Sequence, residues 1–84
     1  MIISQKTIEK LRALINEETE YRSGPKLVAF FNKYGFADLY EPGFPSRWIY
    51  TESKLKELNG KPELDKCIKD LSDSPQTHLI FLVY

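Results

Sequence analysis

The apolar positions of this chain recur mostly at helical spacing. Ile8, Leu11, Leu14 and Ile15 lie three or four residues apart and line one face of a helix capped by Ser4 and running to about Glu18. Glu9, Lys10, Arg12 and Asn16 fall on the opposite face and are expected to meet water. Ser23-Gly24-Pro25 starts a second helix, with Pro25 at its first position, where a missing N–H costs nothing. Leu27, Phe30, Phe31 and Tyr34 form its broad apolar stripe, and Gly35 ends it in a left-handed cap. Phe36 and Leu39 are expected to close over this helix.

From Ala37 to Tyr50 the pattern loses its period. The stretch is rich in proline and aromatic residues, and it reads as an ordered loop packed down by Phe44, Trp48 and Tyr50. Thr51 is the expected cap of a third helix, Glu52 to Leu58, which Asn59-Gly60 ends. Pro62 opens a fourth, where Leu64, Cys67, Ile68 and Leu71 repeat along one face. Ser72 to Thr77 is a polar breaker, and Leu79 to Tyr84 is an uncharged, β-prone segment, a candidate C-terminal strand: either it docks on the helices, or it mediates oligomerisation, or the chain is a piece of something longer. The expectation is a mainly α domain over 1–84, its core at about 4–71 and a tail at 72–84, with four helices and an ordered aromatic and proline loop.

Composition narrows the function classes. The 84 residues carry twelve basic and twelve acidic side chains, a balance that argues against a dominant nucleic-acid footprint while allowing a local patch. Cys67, the sole cysteine, cannot form an internal disulfide, and with His78, the sole histidine, it makes no metal cluster. On the apolar face of its helix, Cys67 reads as a small buried hydrophobe. No secretory leader is visible and the longest apolar run is too short to span a membrane, so a cytoplasmic protein without membrane partners is expected. Neither a catalytic constellation nor a phosphate-cradling glycine signature is present, so no enzyme activity and no cofactor are expected.

Two segments carry the candidate recognition residues: Arg22, Ser23, Gly24 and Lys26 at the start of the second helix, and Arg47 with Trp48 in the loop. Backbone N–H groups of Gly24, Lys26 and Leu27 could face an anion there, with Arg22 and Lys26 beside them. Arg47 could add a planar, bidentate contact. An internal network of Arg22 and Arg47 with Glu17, Glu18, Glu20 or Asp38 is the competing reading, because the helix-ending cluster Glu17, Glu18 and Glu20 sits where the helix dipole disfavours acids and asks for basic partners among Arg22, Lys26 and Arg47.

The run Glu-Thr-Glu-Tyr-Arg-Ser-Gly-Pro-Lys-Leu-Val (18–28), Phe-Phe-Asn (30–32), Gly-Phe (35–36) and Gly-Phe-Pro-Ser-Arg-Trp (43–48), followed by Lys-Leu-Lys-Glu-Leu-Asn-Gly (54–60), Pro62 and Asp-Lys-Cys-Ile (65–68), resembles the small N-terminal domain of bacterial AbiJ-type abortive-infection proteins. The resemblance covers roughly residues 4 to 71. It implies a non-catalytic sensing or protein-interaction module of a phage-defence system, of the kind that precedes a helical effector region, often of the HEPN class. No catalytic residue carries over, since the ribonuclease motif belongs to the effector region. The alternative reading is a nucleic-acid-binding module using Arg22, Lys26, Lys33, Arg47 and Lys54.

Overall fold

A computed structural model describes residues 1–73; the expected strand at Leu79–Tyr84, His78 and most of the polar breaker lie outside the described residues. Among the described residues the chain is mainly α. Helix α1 spans Gln5–Ala13 and continues through a π-helical turn at Leu14–Glu18; α2 spans Gly24–Asn32, α3 Arg47–Leu58 and α4 Pro62–Asp73. No described residue is in a strand.

Ser4 caps α1 as expected, its hydroxyl accepting the Thr7 N–H at 3.2 Å. Ile8, Leu11, Leu14 and Ile15 are all buried, as their spacing requires. Asn16 departs from the expectation: it is buried, because the widened π turn rotates it from the water-facing side toward α3. That turn has no glycine to end it. Its carbonyls are instead satisfied by side chains together with the backbone N–H groups of Thr19 and Arg22. Leu14 O accepts from the Thr19 N–H (3.1 Å) and hydroxyl (2.8 Å), Ile15 O from Arg22 (2.6 Å), and Asn16 O from Arg47 (2.7 Å).

Helix α2 supplies the centre of the core. Leu27 and Phe31 are fully buried, and Phe31 meets Phe30, Phe36 and Tyr50 edge-on with centroids 5.1, 6.4 and 5.9 Å away. Gly24 rather than Pro25 is its first residue, Pro25 standing second. Gly35 follows with φ 102°, the left-handed stop that its position predicts. Phe36 packs on the core, whereas Leu39 is 73% exposed and closes over nothing.

The connecting loop is shorter than its aperiodic sequence suggests. Helix α3 begins at Arg47, so Trp48, Tyr50 and Thr51 are helical; Tyr50 N–H bonds Ser46 O at 3.0 Å in its first turn. Aromatic and β-branched residues are poor helix formers, but tertiary contacts outweigh that preference here. Tyr50 packs between Phe31, which it meets edge-on, and Phe44, and Thr51 is buried against Asn16, so Thr51 is an interior residue and not the cap. Phe44 packs partly on the core, as expected of the loop, while Trp48 stays 53% exposed.

Asn59 ends α3 and ties down the N-terminal segment: its amide donates to Ile3 O (3.0 Å) and its oxygen accepts the Ile3 N–H (2.8 Å). Helix α4 buries Leu64, Cys67 and Leu71 on that framework and leaves Ile68 at the margin. It runs on through Ser72 and Asp73, two residues into the expected break that begins at Ser72.

Candidate functional site

The six candidate residues divide between two places. Arg22 and Arg47 are drawn inward and act as staples. Arg22 donates to Ile15 O and to the Thr19 hydroxyl (2.9 Å), and lies 3.4 Å from the Glu20 carboxylate. Arg47 spends three donors on its own chain: Nε to Arg22 O (2.8 Å), Nη2 to Asn16 O and Nη1 to Glu17 (3.0 Å). Its plane also lies over the Tyr21 ring, 4.0 Å from the centroid. The ill-placed acids at the end of the first helix thus meet basic partners: Glu17 pairs with Arg47 and Glu20 with Arg22.

The start of α2 is less open than its sequence suggests. Ser23 is the extended cap residue but makes no side-chain capping bond, Pro25 has no N–H, and the Leu27 N–H is taken by Ser23 O at 2.9 Å. Gly24 is buried beneath Tyr40, whose ring a Cβ at this position would overlap. The backbone donors expected at Gly24, Lys26 and Leu27 therefore do not form an open cradle.

Side chains make a groove farther along the same helix. Lys26, Ala29, Phe30 and Lys33 follow one another at helical spacing, and with Glu20 and Arg22 they line a hollow of about 310 Å³. The small Ala29 leaves the space between two exposed lysines. Phe30 forms the apolar wall, with Arg22 4.7 Å and Lys33 4.9 Å from its ring centroid. Burial pulls the Arg22 guanidinium below its ordinary range, against the opposing pull of Glu20.

The second place is the outer face of α3 and the loop before it. Trp48 and Ile49 stand about half exposed there, with Leu39 and Tyr40 exposed on the loop. Two hollows share Ile49 and Ser53. One, of about 330 Å³, is lined by Asp38, Leu39, Phe44, Pro45, Tyr50 and Lys54 as well. The other, of about 530 Å³, extends along Trp48, Glu52, Lys56 and Glu57. Arg12 of α1 lies 5.2 Å from the Trp48 ring centroid and pairs with Glu52 at 2.6 Å, which holds the indole against the helix.

The floor of the first hollow is polar and fully engaged. Lys54 sits 2.8 Å from Asp38 and 3.3 Å from Glu57, and Tyr50 donates to Asp38 at 2.8 Å. The hydrogen bond from Lys54 holds the Asp38 carboxyl below its usual range. Lys54, one of the expected nucleic-acid contacts, is thus committed to internal carboxylates. Among the described residues no group of histidine, cysteine, aspartate or glutamate could hold a metal, and no helix is long and apolar enough to cross a membrane.

The exposed Leu39–Ile49 surface had no signal of its own in the sequence, because an aromatic-rich stretch more often packs inward. The groove on α2 could have been found from the Lys-x-x-Ala-Phe-x-x-Lys spacing. No protein-family model, curated protein or solved structure matches this chain.

Proposed function

We propose that this domain is a non-catalytic protein-interaction module that binds its partner through the outer face of α3. The observation that carries the reading is the clustering of Leu39, Trp48 and Ile49, all 47–73% exposed, around two hollows that adjoin at Ile49, with the exposed Tyr40 next to Leu39 in the chain. Exposed apolar groups scattered singly are ordinary; gathered around a concave face and rimmed by charge, they mark a contact surface. The rim here is Glu52, Lys56 and Glu57. Trp48, with the Arg12 guanidinium 5.2 Å from its ring centroid, has the aromatic character of an interface anchor.

The resemblance to AbiJ-type N-terminal domains supplies the biological setting: a sensing or accessory role in bacterial phage defence, with an effector protein or region as the partner. The nucleic-acid alternative has less support, since Arg22, Arg47 and Lys54 direct most of their donors to internal oxygens. Ile49→Asp tests the reading in a bacterial host challenged with phage. Protection is lost while abundance and melting temperature hold, the site being on the surface. Full protection by that variant would overturn the surface, and a wild-type protein that confers none would overturn the defence role.

A further inference from the structure

The groove on α2 lies apart from the α3 face and has its own chemistry. Three cations, Arg22, Lys26 and Lys33, face one carboxylate, Glu20. Lys26 and Lys33 have no ion-pair partner among the described residues, in a chain whose overall charge is balanced. The groove already holds one carboxylate from its own chain: Glu20 is well exposed yet rests 3.4 Å from the Arg22 guanidinium, a distance that leaves the pair loose. We propose that this groove seats an acidic segment of the partner protein, whose carboxylates join or displace Glu20.

The dimensions favour a peptide. Lys33 follows Lys26 by seven helical steps, about 10.5 Å along α2. Residues three apart in an extended chain span about 10 Å, so acids at such a spacing meet Lys26 and Lys33 together. Between them a small apolar residue rests over Ala29 and against Phe30. A nucleic acid would need a longer basic track than this groove provides. The inference rests on the reading of the domain as a protein-binding module and adds a second, electrostatic contact to the apolar one.

The test uses the whole chain and a capped hexaglutamate peptide, followed by amide chemical shifts along α2. The wild-type protein binds with shifts centred on 26–33, and raising salt from about 50 to about 500 mM weakens binding, since exposed charges are screened. The Lys26→Gln/Lys33→Gln variant loses about tenfold in affinity, as two exposed pairs are removed. Glu20→Gln acts in the opposite direction and gains roughly threefold, because the internal competitor is gone. Affinity that is unchanged or lower in Glu20→Gln, or unaffected by the lysine changes, overturns the proposal. So does tighter binding of a single-stranded hexanucleotide than of the peptide, which would assign the groove to phosphate. Ile49→Asp leaves peptide binding unchanged, so failure of the α3 surface and failure of this groove read out separately.

Discussion

The Thr51 hydroxyl donates to the side-chain oxygen of Asn16 at 2.6 Å, and both residues are buried where α3 crosses the π turn. A buried side-chain amide needs a partner, and this one finds it on a helix thirty-five residues away in the chain. Thr51→Val keeps the shape and removes the donor, leaving the Asn16 oxygen unpaired. The expected loss is about 1–3 kcal/mol. For a domain of this size each kcal/mol lowers the melting temperature by about 4–8 °C. In an Asn16→Leu background the same change costs less, since no acceptor remains to be stranded, and a double-mutant cycle in urea measures the difference. Additive losses would show that the pair is not coupled.

Arg47→Ala separates a structural role from a recognition role. The side chain satisfies the carbonyls of Asn16 and Arg22 with rigidly forked donors, so its loss strands the Arg22 carbonyl and leaves that of Asn16 with only the Arg22 N–H at 3.4 Å. A destabilisation of about 1–3 kcal/mol is expected, and Arg47→Lys, lacking the planar fork, recovers little of it. Trp48→Ala, next in sequence but exposed, changes stability by less than about 0.5 kcal/mol. Thermal denaturation of the three variants decides the matter; an Arg47→Ala protein as stable as wild type would return Arg47 to the recognition surface.

The contrast between Arg47 and Trp48 also shows where sequence reasoning succeeds and where it stops. Periodicity identifies helices, and the positions of Ile8, Leu27, Phe31, Leu64 and Cys67 in the core follow directly from it. Gly35 and Asn59-Gly60 mark their ends for backbone reasons that are equally local. What is not local is less legible. The first turns of α3 carry poor helix formers, and only the pairing of Thr51 with Asn16 and of Tyr50 with Phe31 and Phe44 makes them helical. Arg22 and Arg47 share an internal network with Glu17 and Glu20, which the misplaced acids foreshadow, but their main partners are backbone carbonyls, and no side-chain pattern encodes those. Whether an aromatic residue packs or protrudes likewise depends on the register of a helix whose start the sequence hides.

Gly24 and Tyr40 are expected to couple for steric reasons. A methyl group at Gly24 displaces the Tyr40 ring and with it the ring contact to Phe44, 4.8 Å between centroids. Gly24→Ala therefore costs about 0.5–1.5 kcal/mol, the value of such an aromatic pair. In a Tyr40→Ala background the same substitution is neutral or mildly stabilising, since alanine is the better helix former. Equal effects in both backgrounds would show that the loop yields without loss.

Acid sensitivity should centre on Asp38. The Lys54 hydrogen bond, joined by that of Tyr50, depresses its folded-state value below the unfolded one of about 3.9. A depressed carboxylate contributes stability that is complete above the unfolded value and disappears as pH falls through the folded one. Asp38→Asn is therefore less stable than wild type at pH 7, and the gap narrows steadily below about pH 4. Urea midpoints measured across that range test it, and a gap independent of pH would assign the loss to packing.

Cys67 offers a probe of how α4 is held. Burial, reinforced by the charge of Asp70, pushes its thiol up to about 12, and the side chain is fully enclosed. At neutral pH the thiolate is scarce and inaccessible, so alkylation requires α4 to lift away. Among the described residues two polar ties oppose that motion: the Tyr34 hydroxyl donates to Asp70 at 2.9 Å, and the N-terminal amine lies 3.1 Å from Asp65. Tyr34→Phe removes the stronger tie, and labelling accelerates by about fivefold for a bond worth roughly 1 kcal/mol. Thr51→Val acts differently. Its partner Asn16 lies on the first helix, so both the closed form and the form with α4 lifted lose the same bond, and the labelling rate stays at the wild-type value. If Thr51→Val accelerated labelling as much as it lowers global stability, α4 would open only when the whole domain unfolds.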